Sequence, residues 1–145
     1  MSELDSAALS GGLELWMAAS DGKLEEVRRL VANGTNLEEK DEEGSTPLIA
    51  AAIFDHLDVI RFLVEQGADK EAPDPDGNTP LIIAAAQGWS EVVRFLIEQG
   101  ADLSTKNKDG KTALDMAGQG FPATLASEDA VATLLREALA IRPPP

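Results

Sequence analysis

Short apolar clusters alternate with polar, glycine-bearing segments along this chain, and the alternation keeps a fixed period. Leu48-Ile49-Ala50-Ala51-Ala52 makes a compact apolar run, followed by Leu57, Val59, Ile60, Leu63 and Val64 at helical spacing. The two-part pattern returns as Leu81-Ile82-Ile83-Ala84-Ala85 and then Val92, Val93, Leu96 and Ile97. Upstream it is present as Leu15-Trp16-Met17-Ala18-Ala19 and Leu24 to Leu30. Each cluster pair predicts two short helices. Neither is long enough to stand alone in water, so stacking must supply the stability.

The punctuation repeats as strictly as the apolar set. Gly11, Gly44, Gly77 and Gly110 lie 33 residues apart, as do Gly34, Gly67 and Gly100. Residues 44–76 and 77–109 share 17 of 33 positions. Glu43-Gly44 and Asp76-Gly77 read as turns. Thr46-Pro47 and Thr79-Pro80 read as helix starts, because Thr caps exposed N–H groups and Pro at the first helical position loses no bond. Asp55 and Gly88 stand where the first helices must end, and Gly67 and Gly100 where the second ones do. A period of this length marks a repeat stack of about four units.

The end units depart from the inner ones. The first replaces Thr-Pro with Leu13-Glu14. In the last, Thr112-Ala113-Leu114 takes the place of Thr-Pro-Leu, and the register slips by five residues after Ala117. That slip predicts a loop over 118–126, with Ser127 capping a final helix that runs to about Ile141. The expected organisation is an extension over 1–10 and one repeat domain over 11–142, with units at about 11–43, 44–76, 77–109 and 110–142. A proline tail over 143–145 closes it.

Turn, Thr-Pro-Leu, alanine pair and a helix ending in Gly-Ala-Asp together resemble the ankyrin repeat family over roughly residues 11–141. The resemblance implies an all-α ankyrin repeat solenoid of helix-turn-helix units with connecting β-turn or hairpin loops. It also implies that partners meet the turn tips and first helices on a concave face. One departure stands out. The His that usually follows Thr-Pro-Leu is Ile49 and Ile82 here, so apolar packing must replace its polar link.

Composition narrows the chemistry. With no Cys and a single His, no thiolate zinc site, disulfide framework or cysteine nucleophile can form. His56 would have to serve as the base of any Ser-His-Asp arrangement, yet its equivalents in neighbouring repeats are Lys23 and Trp89, which favours a structural role. The segment Asp74-Pro75-Asp76-Gly77-Asn78 fails as a calcium loop: with Gly77 in sixth place, Ala72 and Ile83 fall where oxygen ligands belong. The reading is a non-enzyme that needs no cofactor. Basic residues number 12 against 26 acidic ones, and the resulting charge of −14 disfavours nucleic acid. No secretory leader or membrane span is legible, so a protein of the cytoplasm or nucleus is expected, and the capped end units suggest a monomer when unbound.

Recognition is expected where the repeats differ. The acidic stretch 38–43, with Glu42 and Glu43, is expected to join Asp74 and Asp76 in a negative strip, since packed helices lie about 10 Å apart. Such a strip suits a Lys/Arg-rich protein or peptide. Lys106, Lys108 and Lys111 make the following turn basic. Ser45 and Asn78 vary at the turn, and Ile53-Phe54 forms an apolar pair where the next repeat has Ala86-Gln87. Trp89 is either an anchor or a cover for His56 and the final loop, while Trp16 closes the core of the first unit. The competing readings are a docking segment of a larger assembly and an engineered binder on the same scaffold.

Overall fold

In the computed structural model the described residues are 13–117 and 125–141, without the side chains of 125–129. Among them only helices and turns occur, and no strand. Helix α1 covers 13–21. It is followed by α2 (Leu24–Ala32), α3 (Pro47–Ile53), α4 (Leu57–Glu65), α5 (Pro80–Gln87), α6 (Ser90–Glu98), α7 (Ala113–Met116) and α8 (Leu125–Ile141). The chain divides into two compact units, Met1–Asp69 and Lys70–Pro145. In the first, α4 packs on α2 and α3; in the second, α5 packs on α6 and α7, and α8 closes against α6 and α7.

The inner first helices, α3 and α5, are apolar all round up to Gln87 at the end of α5, and accordingly enclosed. Leu48 through Ala52 and Leu81, Ile82, Ala84 and Ala85 are at most 1% exposed. Their N-terminal N–H groups therefore cannot reach water. Thr46, in extended conformation, accepts from the Ile49 N–H at 3.3 Å, and Thr79 does the same for Ile82. Pro47 and Pro80 follow at the first helical position, where no donor is missed. Ile49 and Ile82, in the place of the usual His, are themselves buried, each within its own unit.

Each inner first helix must then reverse sharply. Gly88 does so at φ 80° and Asp55 at φ 60°, the only described non-glycine residue in the left-handed region. Partial burial pushes the Asp55 carboxyl above its ordinary pKa, with His56 pulling it back. The reversal lets the backbone N–H of His56 and of Trp89 return to Ala51 and Ala84 at 3.0 Å. The second helices are amphipathic: Val59, Ile60 and Leu63 face the core while Arg61 and Glu65 are exposed. They end alike. Gly67 N–H bonds Val64 and Ala68 N–H bonds Leu63, both at 3.0 Å, and Gly100 and Ala101 repeat the pair on Ile97 and Leu96.

Two side-chain contacts tie the helices of the first unit together. The His56 Nε2 lies 2.9 Å from the Ser20 carbonyl, and the ring packs so closely on Gly22 that a Cβ there would meet Nδ1 at 2.5 Å. The Arg28 guanidinium lies 4.9 Å from the centre of the Phe62 ring. His56 thus has the structural place its sequence position suggests.

The last unit corrects one expectation. Helix α8 already includes Ser127, so Ser127 does not cap it and the expected loop ends before Leu125. Leu125 and Ala126 are strong helix formers with no breaker between them and Ser127, which extends the helix backwards. The rest of that loop (118–124), the extension 1–10 and the proline tail 143–145 lie outside the described residues. Helix α7 is a short remnant held by a reciprocal cap, with Thr112 accepting from Asp115 N–H and Asp115 accepting from Thr112 N–H.

Two outcomes follow. Asp55→Gly, which copies Gly88, should relieve the left-handed strain and raise stability by about 0.5–1 kcal/mol, read as a higher urea midpoint with an unchanged slope; a lower midpoint would contradict it. The bonds from the Thr112 backbone and hydroxyl hold the Asp115 carboxyl below its ordinary pKa. Its stabilising contribution is therefore complete above the ordinary aspartate range and lost as pH falls through the folded value. Asp115→Asn should flatten the acid side of the Tm–pH profile.

Candidate functional site

The turns between helix pairs are built around one side-chain acceptor, repeated every 33 residues: Asp41, Asp74 and Asn107. Asp41 Oδ1 accepts from the N–H groups of Glu43 and Ser45 at 3.0 and 2.9 Å. Asp74 Oδ1 accepts from Asp76 and Asn78 at 2.9 and 2.8 Å. Asn107 Oδ1 accepts from Asp109 and Lys111 at 2.9 and 3.1 Å. A backbone pair closes each turn, from Asp41, Asp74 and Asn107 N–H to the carbonyls of Ser45, Asn78 and Lys111. The acceptor does for the turn what a backbone carbonyl would do, so the loop needs no help from the residues at its tip.

In the second unit consecutive turns are also bonded to each other. Asn107 Nδ2 donates to Asn78 Oδ1 at 2.9 Å, and Lys108 N–H donates to the Asp76 carbonyl at 3.0 Å. Asn78 in turn donates to Asp74 Oδ2 at 3.3 Å. Asn107 is only 8% exposed, which its bonding makes affordable. The backbones pack so closely that a Cβ on Gly77 would stand 3.1 Å from the Lys108 nitrogen.

A second ladder uses glutamates. Glu38 Oε2 accepts from the Asp69 N–H at 2.8 Å within the first unit, and Glu71 Oε2 from the Asp102 N–H at 2.9 Å within the second. Both pairs hold the loop after one second helix to the loop after the next. The next member of the series is Ser104, whose hydroxyl bonds Asp102 instead. Reading residues for chemistry misses these roles. The signal was nonetheless present: Glu38 and Glu71 share the spacing of Asp69 and Asp102.

The expected contact residues separate into two groups. Glu42, Glu43, Asp76 and Lys108 are exposed at the turn tips, and Phe54 is 52% exposed at the end of α3. Ser45 is buried, so it contributes backbone to the turn and not an accessible side chain. Asp74 and Asn78 are half-buried and hold the turn frame. Ile53, Gln87, Trp89 and Lys111 are half-buried, and Trp89 stands at the start of α6. Trp16 is half-buried in α1.

Among the described residues no group of three His, Asp or Glu side chains could hold a metal ion, and no helix is long and apolar enough to cross a membrane. What the tips and helix ends offer is charge, hydrogen bonding and one exposed aromatic ring on a frame bonded from within. Asn107→Ala would remove three part-buried bonds at once and should cost about 2–3 kcal/mol, measured by urea denaturation. A loss no larger than that of an exposed substitution, about 0.5 kcal/mol, would show that the turn frame stands without it.

Two family profiles match the chain: one described as ankyrin repeats (3 copies), over residues 5–74, and one described as ankyrin repeats (many copies), over residues 63–117. Comparison with curated proteins finds no match. The matched spans coincide with the helix pairs, capped starts and glycine-ended second helices described above. They identify an all-α, repeat-stacked fold of the kind that serves as a non-catalytic protein–protein interaction scaffold. The chain belongs to the ankyrin repeat family.

Proposed function

We propose that the turn tips and first-helix ends bind a protein or peptide segment rich in Lys and Arg, with an apolar side chain seated on Phe54. In the family's arrangement these elements share the concave side. The observation that carries the reading is the 52% exposure of Phe54, an aromatic ring beside Asp55 and close in sequence to Asp58. Aromatic residues are common anchors in interfaces.

Charge distribution supports the partner's sign. In the first unit the turn 38–43 carries five acids against Lys40, whereas Arg28 and Arg29 lie on the second helix α2, ion-paired there with Glu25 and Glu26. A cationic segment approaching the tips therefore meets acid side chains before arginines. Attraction of this kind acts mainly on association rate and weakens with salt. The turn frame holds the tip residues in place beforehand, so little ordering entropy is lost on binding. In the second unit, Asp74, Asp76, Asn78, Gln87 and Trp89 alongside Lys108 and Lys111 suit a stretch of mixed charge.

The test uses fluorescence anisotropy with a Lys/Arg-rich peptide bearing a central Leu, and with its Asp/Glu counterpart. The basic peptide should bind, and reversing Glu42, Glu43 and Asp76 to Lys should weaken it about tenfold while flattening its salt dependence. Phe54→Ala should weaken it comparably with the salt slope retained. Equal binding of basic and acidic peptides would sink the charge reading.

A further inference from the structure

We propose that Asn33 is a self-modification site, where the side-chain amide is lost through a cyclic imide formed with the Gly34 nitrogen. The three second helices α2, α4 and α6 end in matched geometry, and only the first ends with Asn-Gly. Asn33 has φ −82° and ψ 3°, Gln66 φ −82° and ψ 0°, and Gln99 φ −83° and ψ 3°. All three side chains are exposed, and each is followed by a glycine at positive φ with open space where a Cβ would stand. One methylene separates the first site from the other two.

That methylene decides the chemistry. Attack of the Gly34 nitrogen on the Asn33 side-chain carbonyl carbon closes a five-membered ring. The new N–C bond forms, the C–NH2 bond breaks, and the amide leaves as ammonia after taking up the proton lost by the Gly34 nitrogen. Water then opens the imide at either carbonyl, giving aspartate or its backbone-inserted isomer. Gln66 and Gln99 would have to close a six-membered ring, which is slower. A glycine on the C-terminal side puts no side chain in the way of the attack.

The fold controls when this happens. Gly34 N–H is bonded to the Val31 carbonyl at 3.0 Å and Thr35 N–H to Leu30 at 3.2 Å. With ψ near zero, the Gly34 nitrogen is turned away from the side-chain carbonyl. The reaction therefore runs through an opened last turn of α2, and its rate reads the fraying of that turn. Its product does not fit back as before. A carboxylate at the C-terminal end of α2 meets the negative pole of the helix, and the inserted isomer lengthens the backbone immediately ahead of the two bonded N–H groups. The segment disturbed leads directly to Asn36 and Glu38, whose side chains hold the Glu38 and Asp69 N–H groups.

The experiment incubates the folded full chain at mildly alkaline pH in 18O water, followed by peptide mapping with mass spectrometry. Asn33 should gain the mass of an amide-to-acid exchange with one heavy oxygen, in aspartate and isoaspartate forms, at least about tenfold faster than Gln66 or Gln99. A denatured sample gives the rate without the helix turn, and the folded rate should lie below it. Asn33→Gln, which copies the other two repeats, should abolish the signal while leaving the circular dichroism unchanged. Modification of Asn33 no faster than of the two glutamines, or as fast folded as denatured, would overturn the assignment or its gating respectively.

Discussion

The architecture depends on the enclosure of first helices that have no polar face. Helix α3 has seven residues and α5 eight, well below the roughly 12–15 that an isolated helix needs in water. Apart from Gln87 at the end of α5 their side chains are apolar all round, so nothing recommends a solvent-facing position. Once they are enclosed, every backbone donor and acceptor at their ends needs a partner inside the protein. Thr46 and Thr79 answer at one end; at the other, the tight reversal at Asp55 and Gly88 returns the chain to Ala51 and Ala84. The second helices, amphipathic and ended by backbone bonds alone, provide the outer cover.

The same requirement divides the acidic residues into two populations. Glu38, Asp41, Glu71 and Asp74 spend their oxygens on backbone N–H groups of turns and loops. Asp115 does so at the start of α7. Glu42, Glu43 and Asp76 are exposed at the tips. The charge of −14 is consequently not a measure of recognition surface: part of it is the material from which the loops are built.

The repeat pattern made the fold legible because stacking constrains the same positions in every unit. Thr46, Leu63 and Gly67 have the same physical task as Thr79, Leu96 and Gly100, so their spacing alone disclosed it. The last unit was less legible. Where the register slips there is no second copy to compare with, and Ser127 looked like a cap although the helix had begun at Leu125. The surface was legible only in part. Variation between repeats drew attention to Glu42, Phe54 and Asp76, which are exposed, and equally to Ser45, which is buried. Variation shows that packing does not fix a residue's identity. It does not show that the residue reaches solvent, since a buried Ser can vary to a half-buried Asn when both serve a turn through their backbones.

Because each turn's acceptor lies two residues before its tip donor, the tip side chains have no part in holding the turn closed. Glu42-Glu43, Pro75-Asp76 and Lys108-Asp109 occupy one backbone shape, with formal charges of −2, −1 and 0. Mechanical duty and surface identity are thereby carried by different atoms of the same loop. The tips behave as interchangeable lettering on a fixed typeface: a new pair can be written there at little cost to folding, and the molecule's outward identity can drift while its frame stays still.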